Sequence, residues 1–368
     1  MVKFDDIGPE KIIEVYDPIS KMKGFTVLDN TALGPAKGGI RMTATVDKKE
    51  VAKLARTMTI KNAMAGLPFG GGKSGIIADP YKTDQKKKKE IISAFGRAIR
   101  CISPSMYVAA PDVAMGEKDV AVFVKANGKK NSATGKPKSM GGIPHELGST
   151  GYGVYIATVE AEKFMKINLK KATFVVEGFG NVGWFAAKYL TDHGATLVGT
   201  SDSKGSIYNP KGIDFKKLDA VKKKTRRVMD YPEGKVGKPE MIRTCKADIF
   251  IPAGVAQDVI STKNISRLKF KLIVCGANIP FTEETEEKLY RKKIMVVPDF
   301  VANAGGVISS YVEYMGGKAK DVFPLIKKKI SANTRLVLQT AKRKRISPRK
   351  AGKQIAMNRV KKAMKKRK

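Results

Sequence analysis

The chain has 368 residues, 42% of them hydrophobic and 7% aromatic, an ordinary globular composition with enough length for two domains that each bury a core. No apolar run approaches the ~18 residues of a membrane-spanning helix, so a soluble chain is expected, and Met1 to Pro9 carries Asp5 and Asp6 without a signal pattern, which points to the cytoplasm. His145 and His193 are the only histidines, and Cys101, Cys245 and Cys275 form no CxxC pair; this argues against a metal site or a disulfide framework and leaves acid-base work to carboxylates and lysines. The net charge of +37 invites polyanions. The basic runs are dispersed and lack interleaved aromatics, so they read as a solvated lysine-rich surface that meets nucleic acid only non-specifically.

In chain order, residues 24–28 form an apolar strand pattern that leads into Gly34-Pro35-Ala36-Lys37-Gly38-Gly39, read as a glycine loop presenting Lys37. Val51, Leu54, Ala55, Met58 and Ala65 recur at helical spacing over 47–66, with Asp47 as N-cap and Lys61 at the edge of the stripe. The run Gly70-Gly71-Gly72 then reads as a second glycine loop carrying Lys73, followed by a strand at 76–78 and a helix through Ile91, Phe95 and Ile102. The polar stretch 127–142 reads as an excursion or linker, with a domain boundary near Gly148.

Beyond that boundary 152–164 is helical, and strand patterns at 173–177, 196–200, 248–252, 272–275 and 295–297 alternate with helical segments. The fold class expected is α/β with two domains: an N-terminal α/β substrate domain over 1–149 and a doubly wound Rossmann-type dinucleotide-binding domain over 150–323. The basic C-terminal helices, 324–368, are expected to return to the first domain.

A bare GxGxxG carries little information, but Gly178, Gly180 and Gly183 stand between a strand and a helix, and Asp202 closes the next strand. In that context the residues Gly178-Phe179-Gly180-Asn181-Val182-Gly183 read as a pyrophosphate turn at a helix N-terminus. Asp202, with Ser203 beside it, suits the ribose hydroxyls of NAD. Lys204 suits the 2′-phosphate of NADP, so both cofactors stay open. A P-loop is excluded at Lys73, because its spacing requires a glycine where Leu67 stands.

Lys37, Lys61 and Lys73 suggest an anion pocket in which burial and mutual repulsion lower the pKa of one amine. In a chain this rich in lysine that reading is weak alone. However, Gly34-Pro35-Ala36-Lys37-Gly38-Gly39-Ile40-Arg41, Met58-Thr59-Ile60-Lys61-Asn62-Ala63, Leu67-Pro68-Phe69-Gly70-Gly71-Gly72-Lys73, Ala110-Pro111-Asp112 and Asn303-Ala304-Gly305-Gly306-Val307 together resemble the glutamate/leucine/phenylalanine/valine dehydrogenase family. The order and spacing match along nearly the whole chain. The likeness is greatest to the short archaeal-type glutamate dehydrogenases, through Asp29-Asn30-Thr31-Ala32 and Gly276-Ala277-Asn278-Ile279-Pro280.

The resemblance implies reversible NAD(P)-dependent oxidation of an amino acid to its 2-oxo acid and ammonia. Lys73 would be the catalytic lysine and Asp112 its partner in proton transfer. Lys61 would hold the α-carboxylate, Lys37 and Ser310 a glutamate side-chain carboxylate, with Ala110 and Val307 at the same pocket. Thr150, Asn278 and Asn303 would lie at the nicotinamide and its ribose. A homo-oligomer is implied, a hexamer first. The competing readings are a branched-chain or aromatic amino-acid dehydrogenase, and a basic polyanion-binding protein that has kept the fold; Lys37 with Ser310 argues against the former, Lys73 with Asp112 and the glycine turn against the latter.

Overall fold

The computed structural model describes residues 2–254, 260–261 and 264–367. The chain divides into two compact units, one of Met1–Leu147, Val307–Val322 and Ile355–Lys368, the other of Gly148–Gly306 and Phe323–Gln354.

The first unit begins with strands β1 (Lys11–Asp17), β2 (Met22–Asn30), β3 (Ala36–Lys37) and β4 (Ile40–Thr43), helix α1 (Lys48–Ala65) and strand β5 (Gly70–Ile77). Helix α2 (Gln85–Ala98), strand β6 (Tyr107–Val108) and helix α3 (Glu117–Asn127) follow. The sheet order is β1-β2-β5-β3-β6, with β4 also paired to β5. Asp47 caps α1 by accepting from the Glu50 N–H at 2.7 Å, and Gly66 ends it in the left-handed region at φ 63°.

Gly70 to Gly72 are strand, where a loop is expected from sequence. They are the start of the central strand β5, and their lack of side chains is what lets neighbours close on it. A Cβ at Gly71 would stand 2.1 Å from Thr59 Oγ1, and one at Gly70 would stand 1.8 Å from the Asn30 carbonyl. The same crowding sets the buried face of α1, which runs through Val51, Ala55, Thr59 and Asn62, whereas Leu54 and Met58 are only partly covered. Lys37 likewise sits on a strand, β3, opposite Gly71.

The second unit contains α4 (Ser149–Met165), β7 (Thr173–Glu177), α5 (Asn181–Asp192), β8 (Thr196–Asp202), β9 (Gly205–Tyr208), α6 (Phe215–Thr225), β10 (Lys235–Gly237), β11 (Ile249–Pro252), β12 (Leu272–Val274), α7 (Glu283–Arg291), β13 (Met295–Val297) and α8 (Asp299–Ala302). Its sheet order is β10-β9-β8-β7-β11-β12-β13; the pairs from β8 through β7, β11 and β12 to β13 are parallel, and β9 and β10, with α6 between them in the chain, add an antiparallel edge. Phe174, Val175 and Val176 are fully buried, as a central parallel strand requires.

Helices α9 (Gly305–Tyr314), α10 (Val322–Lys344) and α11 (Pro348–Lys365) close the chain. The sequence expectation places all of 324–368 with the first domain. Instead, 307–322 and 355–368 belong to the first unit and 323–354 to the second. The physical reason lies along α10, which packs on α4: the Phe323 ring meets Tyr152 at 4.7 Å, Arg335 pairs with Glu160 at 3.0 Å, and Lys342 lies over the Phe164 ring. No helix among the described residues is long and apolar enough to cross a membrane.

Candidate active site

Alternation along β5 puts Gly71, Lys73 and Gly75 on one face. Lys73, 6% exposed, reaches Asp112 Oδ2 at 2.9 Å, across the space that Gly39 leaves open. A Cβ on Gly39 would stand 2.7 Å from Asp112 Cβ and 3.2 Å from Lys73 Nζ, so the pair requires glycine there. The segment carrying Asp112 is held by Ala110, whose carbonyl accepts from the Ile40 N–H at 2.9 Å, and by a bridge from Asp112 to Met115.

Arg41 of β4 donates from Nε to the same Asp112 Oδ2 at 2.9 Å and from its other arm to Glu50 Oε1 at 2.5 Å. Burial works to raise the Asp112 pKa, but the adjacent Lys73 and Arg41 cations outweigh it and hold the carboxyl below its ordinary range. Burial lowers the Lys73 pKa, Asp112 opposes, and Arg41 adds to the lowering. The result is an anion beside an amine that releases its proton more easily than a surface lysine.

Lys37 is 2% exposed and donates to the Ala109 carbonyl at 2.8 Å. Burial pushes its pKa down to about 7, with Glu313 opposing and Lys136 and Lys73 contributing. Glu313 of α9 is the nearby carboxylate, yet it is committed elsewhere. It pairs with the buried Lys136 at 2.6 Å and accepts from the N–H groups of Gly135, Lys136 and Ile143. The stretch 127–142, expected to be a linker, is therefore clamped into the first unit by an ion pair that sequence reading missed. Its two members stand 177 residues apart and carry no local signal.

Lys61 is half-buried near the end of α1, one residue before Asn62, which donates to the Gly70 carbonyl at 2.7 Å. On α9, Ser309 is buried and Ser310 is half-buried; Tyr311 and Tyr314 set the helix against Phe69 at ring distances of 6.0 and 5.1 Å. Val307, the third residue of that helix and the first of it to belong to the first unit, is half-buried. Lys37, Lys61, Lys73, Ala110, Asp112, Val307 and Ser310 thus all belong to the first unit. Arg41 ends the segment Lys37-Gly38-Gly39-Ile40-Arg41, and its place two residues after Gly39 is the one local signal in the sequence for its part in this cluster.

The expected cofactor residues all belong to the second unit. Gly178 has φ 90°, and a Cβ there would meet Gly254 at 2.5 Å. A Cβ on Gly183 would stand 2.0 Å from the Gly178 carbonyl, so this glycine lets α5 start close to β7. Gly180 is different: a Cβ there would meet nothing within 4 Å. Its backbone at the N-terminus of α5, beside Asn181 and Val182, is open to the approach of an anionic group such as a pyrophosphate. Phe179 is buried, its ring 6.2 Å from Phe215.

Asp202 at the end of β8 accepts from the Lys222 ammonium, from the Val228 N–H at 2.9 Å and from the Lys204 N–H at 2.8 Å, while Ser203 is exposed. Burial works to raise its pKa, but Lys222 and the two N–H donors hold it low. Asn303 donates to Asn278 Oδ1 at 2.9 Å and to the carbonyls of Gly276 and Ala277 at 3.2 Å; its own buried Oδ1 has no hydrogen-bond partner among the described residues. Thr150 Oγ1 would stand 3.0 Å from a Cβ on Gly306. An orphaned acceptor and an open glycine cradle fit a nicotinamide dinucleotide.

Two sequence profiles match the chain: glutamate/leucine/phenylalanine/valine dehydrogenase over residues 141–368, and the dimerisation domain of the same family over residues 9–129. This chain belongs to that family. It is an amino-acid dehydrogenase that works with a nicotinamide dinucleotide. The glutamate dehydrogenase of Aeropyrum pernix is 39% identical over 97% of this chain and 91% of its own. The NADP-specific glutamate dehydrogenase of Saccharolobus shibatae is 37% identical over 84% of this chain and 77% of its own. Among solved structures, glutamate dehydrogenase from Peptoniphilus asaccharolyticus superposes with a TM-score of 0.86 at 28% identity, covering 98% of this chain and 92% of its own.

Proposed function

We propose that this dehydrogenase oxidatively deaminates L-glutamate to 2-oxoglutarate and ammonia, reversibly. The observation that carries the substrate choice is Lys37, a buried amine whose hydrogen bond goes to a carbonyl while the neighbouring carboxylate is committed to Lys136. A buried cation without a counter-charge is costly, and a substrate side-chain carboxylate supplies that charge where leucine or phenylalanine cannot. The two relatives described above are glutamate dehydrogenases.

In this reading the first unit binds the amino acid and the second the nucleotide. Lys37 and Ser310 hold the side-chain carboxylate, Lys61 holds the α-carboxylate, and Ala110 and Val307 line the pocket. A bound nicotinamide supplies the acceptor for hydride from the α-carbon. Asp112 and Lys73 then move protons between the attacking water, the substrate nitrogen and the departing ammonia, a task suited to an amine of lowered pKa beside a carboxylate.

Gly178, Phe179, Gly180, Asn181, Val182 and Gly183 hold the pyrophosphate, Thr150, Asn278 and Asn303 the nicotinamide side, and Asp202 and Ser203 the adenosine ribose. The choice between cofactors turns on Asp202, whose charge Lys222 already balances. With Lys204 beside it, that balance favours NADP, since a free carboxylate would repel the 2′-phosphate. Lys222→Ala should lower the NADP/NAD ratio of kcat/KM by about tenfold. A homo-oligomer, a hexamer first, is expected, which light scattering tests; cell fractionation tests the cytoplasmic location.

The deciding experiment is an amino-acid panel followed by absorbance of NADH and NADPH. Glutamate should lead; faster turnover of leucine, phenylalanine or valine would overturn the substrate assignment and leave the dehydrogenase class intact.

A further inference from the structure

One oxygen of Asp112 is shared by two cations. Lys73 Nζ and Arg41 Nε both lie 2.9 Å from Oδ2, while Oδ1 carries no hydrogen bond from the described residues. Arg41 is itself fixed at its far end by Glu50, so its rigid fork joins the first turn of α1 to the segment that carries Asp112. Register places Arg41 opposite Gly75 on β5, two residues beyond Lys73 on the same strand.

We propose that Arg41 is a positioning residue of the proton relay: it anchors Asp112 through Oδ2, so that Oδ1 stays directed to the substrate, and Glu50 holds the arginine in place. The inference rests on the role given above to Asp112 and Lys73. Without Arg41, the carboxylate would keep only the flexible Lys73 stem as its partner and would turn about its χ angles. The shared oxygen also makes the two relay groups electrostatically dependent on Arg41. The charged and titratable groups around Asp112 are Lys73 of β5, Arg41 of β4 with Glu50 of α1 behind it, the Tyr107 phenol of β6 and, one step out, Lys37 of β3. Arg41 lowers the pKa of both Asp112 and Lys73, whereas Glu50 raises that of Lys73.

The test is the pH profile of kcat/KM for glutamate in Arg41→Gln, Arg41→Lys and Glu50→Gln, with thermal unfolding followed for each. In Arg41→Gln both limbs should move to higher pH by about one unit, and kcat at the optimum should fall at least tenfold. Arg41→Lys should restore the limbs, which need only charge, but not the rate, which needs the fork. Limbs of Arg41→Gln that coincide with those of the unmodified enzyme, or a lysine variant indistinguishable from the glutamine one, would overturn the proposal. If Arg41→Gln does not fold, Glu50→Gln decides: its alkaline limb should move to lower pH, and an unmoved limb is a refutation. Unmoved limbs in an active enzyme remove this inference and leave the function standing; an unmodified enzyme that oxidises no amino acid removes both.

Discussion

The two units solve their binding problems by opposite means. In the first, the proposed working groups are charged side chains drawn from β3, β4, β5, α1, the 109–112 segment and α9, with Lys37, Lys73 and Glu313 buried and Arg41, Glu50 and Asp112 partly covered. In the second, the proposed pyrophosphate turn is six consecutive residues, Gly178 to Gly183, running from the end of β7 into the first turn of α5, and it would work chiefly through backbone. The difference follows from the ligands. A proton relay needs charges in a place where water does not screen them, and each such charge must be balanced by partners that only long-range folding can supply. A pyrophosphate needs N–H groups and room, and one local turn provides both.

If that contrast holds, side-chain substitutions in the first unit should destroy chemistry and spare nucleotide binding. Lys73→Ala and Asp112→Asn are expected to lower kcat on the order of 10⁴-fold, while fluorescence titration with NADPH gives an unchanged Kd. Weakened NADPH binding in either variant would mean that the division of labour is wrong. Lys37→Leu comes next. Losing the partner of a desolvated carboxylate should cost glutamate on the order of a thousandfold in kcat/KM and raise relative activity on norvaline, leucine or methionine. Unchanged glutamate kinetics would detach Lys37 from the substrate.

The second unit should show the reverse pattern, and its three glycines should separate. Gly180 has φ −92° and open space where a Cβ would go, so Gly180→Ala should leave the melting temperature unchanged and raise the KM for the nucleotide about tenfold. Gly183→Ala would drive a Cβ into the Gly178 carbonyl and should lower the melting temperature by several degrees. Equal effects on stability from the two substitutions would show that Gly180 is a packing glycine like its neighbour.

The same contrast explains what could be read from the chain beforehand. The second unit's turn, five of its seven described strands and the cap of α1 are written in adjacent residues, and those expected positions differ from the observed ones by a residue or two; the antiparallel edge strands β9 and β10 do not stand among the expected ones. The site of the first unit was legible only as separate motifs. That Gly70 to Gly72 form a strand depends on Thr59 and Asn30 closing over them, and the place of 127–142 depends on Glu313, far along the chain. The division of the C-terminal helices was hidden for a similar reason, since nothing local tells Phe323 that its partner is Tyr152. Period and turn chemistry are local properties; the partner of a buried charge is not.

The smallest expected effect is the one that isolates a single buried amine. With its pKa near 7, Lys37 is an ammonium below neutrality and a neutral amine above it, opposite in habit to a surface lysine. Only the ammonium can pair with a carboxylate, so kcat/KM for glutamate should decline as pH rises from 7 to 8, by about fivefold from the loss of the charged form. Lys73 and Asp112 titrate as well, but they serve every amino acid alike. The ratio of kcat/KM for glutamate to that for norvaline therefore cancels the relay and leaves Lys37. At saturating glutamate the bound carboxylate raises the lysine pKa again, so the decline should sit in KM and leave the kcat ratio flat. A ratio that stays constant across this range, or one that rises, would mean that Lys37 enters the reaction already charged, and that burial in the folded unit is offset by a counter-charge closer than Glu313.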